Sequence, residues 1–107
     1  MKLFIYKLID NSTKNPKLVK EICEVEAKAK TYQIVGDTPR YYNSNRVFKN
    51  VIGKAIDDGT IVILTEDSLL TAKTAFREYY KGIIRMHQSF IDTAQRKLNI
   101  IVETEGI

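Results

Sequence analysis

Cys23 is the only cysteine, so the chain can form no internal disulfide and no cysteine-based zinc site. That usage fits a reducing compartment, and a cytoplasmic setting is expected. His87 is the only histidine, and general base or metal work would want it beside a carboxylate, a nucleophile or further ligands. Its neighbours at helical spacing are apolar, which suits a helix-face histidine better than a catalytic one. No run approaches the roughly 18 apolar residues that cross a bilayer. The opening apolar stretch is interrupted by Lys7 and followed by Asp10 and Asn11, so it reads as a first strand rather than a signal peptide. Neither a phosphate-binding loop nor a dinucleotide, nucleophile-elbow or zinc-protease motif occurs. No cofactor or metal is therefore expected, and a non-enzymatic role leads.

Charge of one sign is also in short supply. Seventeen Lys/Arg stand against 13 Asp/Glu, a net +4. Seven against four fall in residues 1–35, four against four in 36–66 and six against five in 67–107. A dedicated nucleic-acid binder concentrates its excess more strongly. This balance permits an anionic partner without asking for one.

What is present is an ordinary globular composition, 44% hydrophobic and 28% charged, with a length that suits a single domain spanning 1–107. Residues 2–9 are apolar on both alternating sets, the pattern of an interior strand. A polar turn is expected over 11–16, ending at Pro16. A second strand is expected over 18–27, with Val19, Cys23, Val25 and Ala27 on one side. A third covers 31–35, with Tyr32 and Ile34 sharing a face. Residues 40–46 read as an exposed loop and 50–56 as a short helical segment. Asp57-Asp58-Gly59 reads as a turn, and 60–64 as a β-branched strand. The fold class expected is α+β: an antiparallel sheet of about four strands, with one long C-terminal amphipathic helix over 67–98. Residues 99–107 are expected to form a tail or a short strand.

That helix is the most informative element. Ser68 offers an N-cap hydroxyl, with Glu66 and Asp67 beside the positive end of the dipole. One apolar seam runs through Leu69, Ala72, Phe76, Tyr79, Ile83, Met86 and Phe90. A second runs through Tyr80, Ile84, His87, Ile91, Ala94 and Leu98. About 32 helical residues span roughly 48 Å, while strands of five or six residues cover about 17–20 Å. The far half must therefore break near Gly82 and fold back, pair with a second chain, or await a different protein. Self-association through Tyr80, Ile84, His87, Ile91 and Leu98, giving a homodimer, leads among these.

Two further constellations stand out. Lys73, Arg77, Lys81 and Arg85 repeat at four-residue spacing, which costs an isolated helix about 0.2–0.5 kcal/mol per pair. A solvated helix face explains them; so does a row that meets phosphates or an acidic protein. Arg40, Tyr41, Tyr42 and Arg46, extended by Phe48 and Lys49, could stack on bases or anchor an interface. Equally, one tyrosine could cap the core while the other is simply exposed.

The run from Lys28-Ala29-Lys30-Thr31-Tyr32 through Ile52-Gly53-Lys54 resembles small, mostly uncharacterised proteins carried by phages and prophages of Gram-positive bacteria. So does the Leu64-Thr65-Glu66-Asp67 lead into a helix containing Ala75-Phe76-Arg77-Glu78-Tyr79-Tyr80. Those relatives continue into a charged, coiled-coil-like segment, and this chain is less charged there. The resemblance implies a protein-binding factor in the host cytoplasm that blocks a host defence protein, in the manner of an anti-CRISPR inhibitor. The resemblance assigns no residues; the contacts expected from the residues themselves are Arg40, Tyr41, Tyr42, Arg46 and Lys49 of the loop and the helix row. The alternative is a small nucleic-acid-binding module using the same residues, with affinity that falls steeply with salt.

Overall fold

Alternation of apolar residues on both sets makes β1 (Lys2–Ile9) a strand that must be covered twice, and it lies inside a sheet of order β4-β3-β2-β1-β6-β5. The computed structural model describes residues 1–9 and 17–106; the polar turn expected over 11–16 lies outside them. Within this range the strands are β1, β2 (Lys17–Ala27), β3 (Thr31–Ile34), β4 (Arg46–Phe48), β5 (Ala55–Ile56) and β6 (Ile61–Leu64). Each neighbouring pair is antiparallel. The sheet has six strands, not about four. The additional two are three and two residues long, too short for alternation to register.

Leu3 and Ile5 of β1 point into a core with Val25, Ile34, Val47, Ile61 and Ile63. Phe4, Tyr6 and Leu8, one step out of phase, join a second cluster with Val62, Leu64, Ala72 and Phe76. The sheet thus has a self-covered face and a face covered by helix α1 (Leu69–Glu103). The helical segment expected near 50–56 is a single 3-10 turn, Lys49–Val51, and three residues separate it from β5. There the Gly53 amide donates to the Ile63 carbonyl at 3.0 Å, which pins this segment to β6. In the β5–β6 hairpin turn, Asp57, Asp58 and Gly59 all take positive φ (54°, 56° and 80°). Asp and Gly tolerate that region best.

Helix α1 begins where Ser68, in extended conformation, accepts a hydrogen bond from the Thr71 amide at 3.2 Å. Of the two carboxylates beside the cap, Asp67 is engaged elsewhere, holding Lys20 of β2 at 2.9 Å. The helix runs unbroken through Gly82 for 35 residues, about 52 Å at 1.5 Å per residue. Residues 99–103, expected as tail or strand, continue it. The radius of gyration is 20.1 Å, against about 13 Å for a compact chain of this length. The excess comes from the helix, which gives the molecule a long axis of 70 Å.

Candidate functional site

Packing of α1 on the sheet is confined to its first turns. Ala72 and Phe76 are buried, and Tyr79, Tyr80 and Ile83 are half-buried. Tyr80 is fastened to the head of the molecule, its hydroxyl donating to the Gly59 carbonyl at 3.0 Å. Within the expected self-association set it therefore serves as an anchor, whereas Ile84, His87, Ile91 and Leu98 lie beyond the anchor and are exposed. From there on, eight large apolar side chains between Ile84 and Val102 are 50–73% exposed. Such a series on one element exceeds the scattered apolar exposure of ordinary surfaces.

These side chains form a stripe. At 100° per residue, Phe90, Ala94 and Ile101 continue the direction in which Ala72, Phe76 and Ile83 meet the sheet. Ile84, His87, Ile91, Ala94, Leu98 and Ile101 follow one another in alternating steps of three and four, a 3.5-residue repeat. Ile100, Ile101 and Val102 look like a strand because all three are β-branched. The steps from Ala94 to Leu98 to Ile101 were the signal that they extend the seam. On the opposite side amides and short polar groups bond along the helix, Gln88 to Asp92 and Gln95 to Asn99, each at 3.0 Å. His87 lies edge-on to Phe90 with ring centroids 6.5 Å apart.

The arm is not built to stand alone in water. Helices that do so are rich in alanine and in oppositely charged pairs at four-residue spacing. Here Ile83, Ile84, Ile91, Thr93, Ile100, Ile101 and Val102 are β-branched, and branching at Cβ lowers helix propensity. Among the described residues, no ion pair forms within residues 84–103.

Lys73, Arg77, Lys81 and Arg85 are all exposed, and none pairs with a carboxylate among the described residues. Glu78, three residues before Lys81, makes no ion pair among the described residues either. Each step of four advances about 40° around the axis, so the row winds from the edge of the apolar stripe toward the polar back. Lys73 and Arg77 flank a shallow groove of about 370 Å³ whose floor includes Leu8, Leu18 and Phe76.

The 40–46 loop lies on the other face. Tyr41 and Tyr42 pack against the core of Leu3, Ile5 and Ile61. The Glu21 carboxylate holds the loop down, accepting from the Arg40 amide at 2.8 Å and the Tyr41 amide at 3.0 Å. Its cations lie over rings of the same region: Arg40 over Tyr41 at 5.5 Å, Arg46 over Phe48 at 5.7 Å and Lys49 over Tyr32 at 5.2 Å. The loop borders a cleft of about 540 Å³ shared with Lys7 and Asp57. Burial, with the charge of Asp57 second, pushes the Tyr42 hydroxyl pKa up. Both tyrosines thus take part in the core. The sheet lies between this loop and the helix, so loop and row do not form one surface.

Cys23 is half-buried beside the Leu3 carbonyl, 3.9 Å from its sulfur. Burial raises its thiol pKa, which leaves little thiolate for nucleophilic work. Among the described residues, no three His, Cys, Asp or Glu side chains converge as metal ligands. No described helix is long and apolar enough to cross a membrane. No protein-family model, curated protein or solved structure matches the chain.

Proposed function

We propose that this chain is a non-enzymatic protein-binding factor whose head holds out α1 as an assembly arm. The observation that carries the reading is the stripe of exposed side chains from Ile84 to Val102 on a helix that its own sheet does not reach. Apolar area of this extent gains about 25 cal/mol per Å² on burial, and the binding of another polypeptide is the ordinary way to realise that gain. The phage-like sequence runs support placing the factor in a host cytoplasm, where it would engage a defence protein. Retention of proteins from host lysate by the wild type, by an Ile84→Asp/Ile91→Asp/Leu98→Asp variant and by a Lys73→Glu/Arg77→Glu/Lys81→Glu variant tests this. Proteins held by the wild type and released by the arm variant are expected. An identical retained set for all three would overturn it.

A second reading draws on the row of four cations, which pair with no carboxylate among the described residues. Contact with a nucleic-acid backbone would use that row rather than the half-buried tyrosines. Its signature is affinity falling with salt at a slope of about 0.7–0.9 per phosphate contacted. Binding indifferent to salt excludes it.

A further inference from the structure

Resting on the reading of α1 as an assembly arm, we infer that the polypeptide covering it is a second copy of this chain, with the two helices antiparallel. The repeat in steps of three and four is a self-complementary pattern, since two helices with the same repeat mesh along their whole shared length. Direction follows from size and charge. In a parallel pair, Ala94 would face Ala94 and leave a gap, His87 would face His87, and Arg77 would approach Arg77 on the same seam.

Antiparallel pairing about a two-fold axis between Asp92 and Thr93 removes all three conflicts. Ile84 then lies opposite Ile101, His87 opposite Leu98 and Ile91 opposite Ala94, each layer occurring twice. Ala94 now meets the larger Ile91, and six layers form, four of them wholly apolar and two pairing His87 with Leu98. Sliding one helix by a heptad in one direction brings Arg77 opposite Ile101. Sliding it in the other brings Glu105 opposite His87 and shortens the overlap.

Charge points the same way. The far end of the arm carries Glu103 and Glu105 and, over residues 99–106, no cation. In the two-fold register Glu105 of the second copy arrives opposite Tyr80, between Arg77 and Lys81, with Glu103 beside Lys81. The row thereby gains carboxylates, which it lacks among the described residues of the single chain. Each arm offers eight large apolar side chains that are 50–73% exposed, and covering them in both copies works toward the about 800 Å² per partner of a standard interface.

Light scattering of the purified chain from micromolar to near-millimolar concentration is the first measurement. A mass twice 12.3 kDa is expected, as is at least about 100-fold weaker association for Ile84→Asp/Ile91→Asp. These residues are exposed in the single chain, and far-ultraviolet and thermal-melt checks of the head keep a misfolded variant from being counted. Direction is read in a Cys23→Ala background by oxidation. Chains carrying Ile91→Cys mixed with chains carrying Ala94→Cys should cross-link to each other, and neither alone to itself. Self-linking of Ile91→Cys would overturn the antiparallel arrangement. A monomer at every concentration, with the arm still required for retention of a lysate protein, would overturn the second copy and leave the binding role intact. A monomer whose arm variants also change nothing in lysate would overturn both.

Discussion

Two glycines show how position decides the effect of one methyl group. Gly59 sits at φ +80°, and a Cβ there would run into the Tyr79 ring. Gly82 is in the helix interior with nothing within 4 Å of the equivalent point. Gly59→Ala is therefore expected to destabilise the chain by about 1–3 kcal/mol, and Gly82→Ala to stabilise it by about 0.5–1 kcal/mol. Urea unfolding of both variants checks the opposite signs. Ionisable residues make a second case. Asp67 is held below the ordinary carboxyl range, first by hydrogen bonds from Lys20 and then by that from Tyr6. Its contribution is present above the unfolded carboxyl pKa and is lost as pH falls through the lower folded value. Burial first, then the bond to Asp67, pushes Tyr6 from 10.0 up to about 12. That contribution is complete below the unfolded value and disappears as pH rises through the folded one. Melting temperature should decline at both ends of the pH scale. Tyr6→Phe should flatten the alkaline limb and lower the neutral melting point by a few degrees.

At the scale of elements, α1 is one helix with two environments. Phe76 is buried against Tyr6, Val62 and Leu64, and Phe76→Ala should cost about 3–5 kcal/mol. Ile101 is 70% exposed, and in a chain kept dilute enough to be monomeric Ile101→Glu should stay within about 0.5 kcal/mol of wild type. Denaturant titrations at low concentration separate the two. Much of this element was legible beforehand: Ser68 as cap, the seam through Ala72 and Phe76, and a helix longer than its sheet. Its end was not, because Ile100, Ile101 and Val102 satisfy strand and helix preferences alike, and only continuous backbone hydrogen bonding distinguishes them. β4 and β5 escaped notice for a different reason. Val47 is fully buried and Ala55 pairs with Val62, yet two or three residues hold too little periodicity to reveal a strand.

For the whole molecule, shape is the measurable consequence. A single chain has a long axis of 70 Å. An antiparallel pair sharing an arm of about 30 Å should reach about 110 Å, with a head at each end. Small-angle scattering gives this maximum dimension directly, and a value near 70 Å at concentrations where the mass is doubled would contradict the arrangement. Sequence by itself determined which residues are apolar together: both faces of β1, the inner side of β2 and the stripe along α1. Periodicity records such faces because each is a local property of backbone geometry. Only the tertiary structure decided what covers them. It placed the 40–46 loop and the basic row on opposite sides of the sheet, packed Tyr41 and Tyr42 half-buried against the core and tied Tyr80 to Gly59. It also set the point, just past Ile83, where the stripe leaves the core. That point depends on where the sheet ends beneath the helix, a distance between segments that no local pattern encodes.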